Sequence, residues 1–125
     1  MSQATPCIFC QLATKRDAHV YDSDGAYAIR DIHPAAPGHT LVISRRHVPT
    51  VFDLDEPEIL ALVYAIRDVR NDLARDYGTD ASNIVVNSGA AAGQSVFHAH
   101  AHVIPRQRDG ATPGIAGLES VLSSR

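Results

Sequence analysis

The sequence predicts an α+β domain in which five short, mostly antiparallel strands form one sheet beside one long and one short helix. Three observations carry that prediction. Short β-branched or alternating runs recur along the chain, one stretch alone keeps helical spacing over several turns, and Gly, Pro and Asp punctuate tight connections between them. The composition agrees: 125 residues, 45% hydrophobic and 20% charged, suit a single globular domain. A formal charge of −3 argues against a protein that coats nucleic acid, which needs a broad basic face. No apolar run approaches the ~18 residues that span a bilayer. The opening Met-Ser-Gln-Ala-Thr-Pro leads into no apolar h-region, so a cytoplasmic location is expected.

In chain order, Ile8, Phe9 and Leu12 sit at the spacing of a short helix. His19-Val20-Tyr21 reads as a strand that Asp22-Ser23-Asp24-Gly25 turns back onto a partner running from Ala26 to Asp31. His33-Pro34-Ala35-Ala36-Pro37-Gly38 is a loop, and Thr40 to Ser44 is a strand covered on both faces. Asp55 stands three residues before Glu58, the spacing of a capping box, and Pro57 is tolerated in a first helical turn. Ile59, Leu60, Val63, Ile66, Val69, Leu73 and Tyr77 then recur as an expected core stripe, closed by Gly78. Asn83 to Asn87 is a fourth strand, and Ser88 to Gly93 a loop of small residues. Residues 1–106 form the expected domain, and 107–125, rich in Ser, Gly and Pro, an extended tail.

The chemistry concentrates between Gln94 and Arg106. His98, His100 and His102 alternate with Ala99, Ala101 and Val103. On an extended strand this puts three imidazoles on one face at about 6.6 Å intervals. A lone histidine is most simply a satisfied core residue. Three on one face, after Gly-Gln-Ser and before Pro-Arg, point instead to acid, base or nucleophilic work near neutral pH. Cys7 and Cys10 form a C-x-x-C pair, for which metal binding, a redox pair and inert thiols are open. A thioredoxin-like role needs a preceding strand, and six residues leave no room for one.

Gly93-Gln94-Ser95-Val96-Phe97-His98-Ala99-His100-Ala101-His102-Val103 closely resembles the signature of the histidine triad (HIT) nucleotide-binding proteins. Asp31-Ile32-His33-Pro34, Pro37-Gly38-His39, Leu41-Val42-Ile43 and His47 are similar to the middle segment of that family, in the same order. The resemblance covers about residues 7 to 106. It implies a HIT fold that pairs into a homodimer and holds a purine nucleotide with its α-phosphate at the triad. It also implies hydrolysis or transfer through a covalent nucleotidyl-histidine. By position, His100 is the implied nucleophile, His102 the contact to phosphate and leaving group, and Ser95 a further leaving-group or phosphate contact. Asp31 falls at the ribose hydroxyls, and Ile8, Phe9, Leu12, Ile29 and Ile32 at the base. Asn87 falls on the phosphate side, with Gly93, Gln94, Ser95 and Val96 in the loop that approaches the phosphates.

The opening Cys7-Ile8-Phe9-Cys10 is similar to a C-x-F-C branch of the family that binds zinc, which implies a structural Zn²⁺ held by Cys7, Cys10, His47 and His98. Asp31 and Asn87 match a branch that cleaves adenosine 5′-phosphoramidate-like substrates to AMP, the reading preferred from sequence. Val103-Ile104-Pro105-Arg106 and the tail look more like the diadenosine polyphosphate branch, and a non-catalytic purine nucleotide sensor or dimeric scaffold is the alternative of another class.

Overall fold

A computed structural model describes residues 6–107. Helix α1 spans Ile8–Leu12 and α2 spans Glu56–Tyr77. The strands are β1 (Tyr21–Asp22), β2 (Ala26–Arg30), β3 (Thr40–Ser44), β4 (Ser82–Val85) and β5 (His100–Pro105). They form one sheet in the order β1-β2-β3-β5-β4, with every pairing antiparallel, so the expected α+β architecture of five strands, one long helix and one short helix holds. The proposed tail from 108 onward, and residues 1–5, lie outside the described residues. Among the described residues no helix is long and apolar enough to cross a membrane.

Local chemistry sets most boundaries. Helix α2 begins at a reciprocal capping box, in which Asp55 accepts from the Glu58 N–H and the Glu58 carboxylate accepts from the Asp55 N–H. It ends at Gly78, whose φ of 75° is left-handed and closes the last turn without a Cβ clash. The Thr40–Ser44 strand has its expected bounds and is buried throughout, because α2 lies on one face and α1 on the other.

Three expectations need correction. The buried stripe of α2 is Leu62, Ala65, Val69 and Leu73, whereas Ile59, Leu60, Val63 and Tyr64 are 42–50% exposed. The helix carries apolar residues on two adjacent stripes, and the sheet chooses between them. Its partners are small, Ala26, Ala28 and Ala99, so a stripe containing Ala65 approaches closely. His19 lies just before β1, not in it. Its ring folds back to stack on Tyr27 and reaches the Leu12 carbonyl and the Asp22 carboxylate, which ties α1 to the sheet. The final strand starts at His100, so His98 precedes the ladder.

The sheet divides the core in two. Toward α2, Ala26, Ala28, Val42, Ala99 and Val103 pack on the helix. On the opposite face, Tyr27, Ile29, Leu41 and Ile43 pack with Phe9 of α1. Leu41 is registered opposite His102, and Ile43 opposite His100. His100 and His102 therefore share this second face, and all three imidazoles are buried, with Phe9 of α1 against His98 and His100.

Candidate functional site

The three histidines are identical in sequence and differ in which ring nitrogen the protein occupies. His98 donates from Nε2 to the Ser44 carbonyl at 2.7 Å, which leaves its Nδ1 lone pair facing outward. His100 does the reverse: Nδ1 donates to the His98 carbonyl at 2.7 Å, and Nε2 keeps the lone pair. His102 accepts at Nδ1 from His39 Nε2 at 2.9 Å, so its own proton sits on Nε2. The His39 tautomer is fixed in turn, because its Nδ1 accepts the Ala35 backbone N–H at 2.9 Å. Backbone groups, acting on His102 through His39, thus put the proton on Nε2 of His98 and His102 and on Nδ1 of His100.

At the His98 end four ligand-type side chains converge. Cys7 Sγ is 3.3 Å and Cys10 Sγ 3.6 Å from His98 Nδ1, and Cys10 Sγ is 3.1 Å from His47 Nδ1. All four donor atoms lie within 4.8 Å of one another. A tetrahedron with bonds of about 2.0–2.3 Å has edges of about 3.3–3.8 Å, so two thiols and two imidazoles at these separations fit a zinc ion. Burial pushes His98 below the ordinary imidazole range, with His47 and His100 adding to it and the Ser44 bond opposing. The ring is therefore neutral and able to ligate at pH 7. Burial, together with the neighbouring Cys7, pushes the Cys10 thiol up to about 11. A divalent cation would reverse that preference by taking the thiolate.

At the His102 end the cluster is wholly buried. Asp31 Oδ2 lies 3.5 Å from His39 Nε2, and each side chain is 1% exposed. Asp31 Oδ1 accepts the His33 N–H at 2.9 Å, which pins the carboxylate to the loop after β2. Gly38, with φ 89°, turns the chain so that His39 enters β3 pointing inward. Sequence reasoning placed His39 in the family-like segment but assigned it no part in the site. Its signal was only the pattern Pro37-Gly38-His39, a loop ending where a buried strand starts.

Between the two ends α1 builds a cleft of about 500 Å³. Ile8, Phe9, Leu12, Ile29, Asp31 and Ile32, the six residues proposed for base and ribose, all line it, joined by Val96 from the small-residue loop. Phe9 is the junction: its ring meets that of His100 edge-on at 5.0 Å and that of His98 at 5.9 Å. The Tyr27 hydroxyl donates to the Phe9 carbonyl and holds α1 down. Burial pushes the Tyr27 phenol well up, so it stays a neutral donor.

The loop residues divide. Ser95 is exposed just ahead of the histidine run, and Asn87 is buried at the end of the β4 segment. Gly93 has φ 98° and donates its N–H to Ala90. Gln94 braces the loop: its Oε1 accepts the Gly89 N–H at 2.7 Å, and its Nε2 donates to the carbonyls of Pro49 and Val96. Its backbone N–H reaches the Gly89 carbonyl as well, so Gln94 shapes the loop around the site.

Comparison with known proteins agrees with this geometry. A family model described as HIT domain matches residues 13–109. The chain is similar to an adenylylsulfatase of Arabidopsis thaliana, 34% identical over 103 residues, 81% of this chain and 52% of the relative. It therefore spans about half the length of that protein. It is also similar to an asymmetrical bis(5′-nucleosyl)-tetraphosphatase of Schizosaccharomyces pombe, 40% identical over 81 residues, 65% of this chain and 44% of the relative. Among solved structures it resembles a zinc-bound histidine triad family protein from Mycobacterium smegmatis, with a TM-score of 0.75 and 31% identity over 88% of this chain and 81% of that one.

Proposed function

The chain belongs to the HIT domain family, and from that premise we propose that it is a nucleotide hydrolase that forms a covalent nucleotidyl-histidine at His100. The observation that carries this reading is the 2.7 Å bond from His100 Nδ1 to the His98 carbonyl. It holds the ring in the tautomer whose Nε2 lone pair can attack phosphorus, beside the Phe9 wall of the cleft. Attack forms the Nε2–P bond as the bond from phosphorus to the leaving group breaks, and the electron pair departs with that group. Water then attacks phosphorus, the N–P pair returns to Nε2, and a nucleoside monophosphate leaves.

The other residues serve binding and charge. The apolar walls Ile8, Phe9, Leu12, Ile29 and Ile32 suit a purine base, and Asp31 can accept both ribose hydroxyls. His102, as an Nε2–H donor, is matched to the phosphoryl oxygens and leaving group, where charge develops. Ser95, Asn87 and the loop through Gly93 and Val96 are assigned to the phosphate side by their positions in the family motif. Zn²⁺ held by Cys7, Cys10, His47 and His98 would be structural: four protein ligands fill a tetrahedron, and the ion would fix α1 against the histidine run. AMP-releasing phosphoramidates are the substrates favoured from sequence. The relatives that act on adenylyl sulfate and dinucleoside tetraphosphate support an acid-anhydride substrate for the same chemistry. The exposed Ile59, Leu60, Val63 and Tyr64 face of α2 is the apolar surface on which a second copy would pair, and sedimentation velocity reads that directly.

Adenosine 5′-phosphoramidate, adenylyl sulfate and diadenosine tetraphosphate, each incubated with the protein, test the reading by release of AMP. The His100→Ala variant should lose activity on the order of 10⁴-fold or more. A variant as active as the parent would remove His100 from the covalent step, and AMP binding without turnover of any substrate would favour a sensor.

A further inference from the structure

Two recognition tasks meet on a single N–H. The Nδ1 of His39 is committed to the Ala35 backbone, so the ring has one proton to offer, on Nε2. Two acceptors lie within reach of it: His102 Nδ1 at 2.9 Å and Asp31 Oδ2 at 3.5 Å. The first distance is that of a hydrogen bond, and the second is the outer limit of one. Asp31 lines the cleft, whereas His102 belongs to the histidine run.

We propose that His39 is a positioning residue that shares its one N–H between Asp31 and His102, and so couples the sugar end of the cleft to the imidazole at the phosphate end. The proposal rests on the nucleotide hydrolase reading above and assigns it a source of specificity. When the hydroxyls of a ribose donate to the Asp31 carboxylate, its charge is spread over the new donors and its pull on His39 weakens. The N–H then belongs to His102, which is held as an Nε2–H donor in one orientation. Without the diol, Asp31 draws the same proton away and the donor at the phosphate is less well aimed. A binding contact normally acts on KM alone. Here the sugar also acts on the chemical step.

Adenylyl sulfate and its 2′,3′-dideoxy counterpart, which share phosphate and leaving group, test the coupling on the unaltered chain. Loss of the diol should raise KM and also lower kcat, by on the order of tenfold, the effect of one misaligned hydrogen bond. In His39→Gln, which has no ring to reach both Ala35 and His102, the dideoxy penalty on kcat should shrink towards one while the penalty on KM remains. A wild-type kcat equal for both substrates overturns the coupling and leaves the hydrolase reading intact. So does a kcat penalty that survives unchanged in His39→Gln. Where neither sulfate is turned over, imidazole ¹⁵N spectra decide the coupling, and the hydrolase reading is decided by the phosphoramidate and the tetraphosphate. Resonances of His102 that move with AMP but not with 2′,3′-dideoxy-AMP uphold it, and equal shifts with both end it.

Discussion

At one end of the histidine run, His98 donates from Nε2 to the Ser44 carbonyl and turns Nδ1 towards two sulfurs; at the other, His102 accepts at Nδ1 from His39 and keeps a proton on Nε2. The first end reaches the surface, where Cys10 and His47 are exposed, and the second is sealed, with Asp31 and His39 at 1% side-chain exposure. An open cluster of soft sulfur and imidazole donors suits a cation that arrives from solution. A sealed chain of hydrogen bonds suits a fixed geometry. The role of each imidazole is therefore set by its neighbours, because the neighbours decide which nitrogen remains.

The largest effect that could break this contrast comes from truncating each end. Either His98→Ala or His102→Ala removes a fully buried ring, with a packing loss of about 2–5 kcal/mol read by denaturation. Zinc content separates them: well under one per chain for His98→Ala, and unchanged for His102→Ala, which should instead lose turnover. If His102→Ala also released the metal, the two ends would be one unit.

A smaller effect follows from proton competition at the open end. Only thiolate binds zinc, and the Cys10 thiol stands at about 11, so protons hold it at every pH below that value. Apparent zinc affinity should climb as pH rises, by up to about tenfold per unit for each thiol proton displaced. His98, already neutral at pH 7, adds nothing to this slope. Chelator competition at two pH values a unit apart gives the slope, and a flat profile would mean that the thiols ionise without metal.

The smallest effect lies beside His47, where the Arg46 guanidinium holds Glu58 at about 2, well below the usual carboxylate range. A lowered carboxyl contributes stability that is full above its ordinary value of about 4.5 and is lost as pH falls towards 2. The pair is exposed, so Glu58→Gln should move the melting temperature little at pH 7 and flatten its decline in acid. Turnover at the sealed end should not change.

The contrast also marks what the sequence could tell. Where local chemistry decides, the reading was right to the residue: Asp55 and Glu58 cap α2, Gly78 ends it, and Thr40–Ser44 is a fully buried strand. The cleft residues and the cysteine-histidine quartet also meet, because family-like motifs carry them in order. Choices made by tertiary packing were not legible. The buried face of α2 depended on small residues in strands far along the chain, and His39 acquired its place only through Ala35 and His102. The bracing of the loop by the Gln94 carboxamide, through Gly89, Pro49 and Val96, was likewise not legible in the motif.

Helix α1 has five residues, too few to persist alone in water. Its anchors lie far along the chain, with Cys7 meeting His98 across 91 residues, and closing so long a loop is slow. The cleft therefore has a birth order: the sheet and α2 condense first, and the wall carrying Ile8, Phe9 and Leu12 docks last. Pulse-labelled hydrogen exchange during refolding should protect the amides of β3 and β5 before the Ala13 amide that bonds Phe9, and the reverse order would show that α1 seeds the fold. A nascent chain would accordingly acquire its sheet before it could hold a nucleotide.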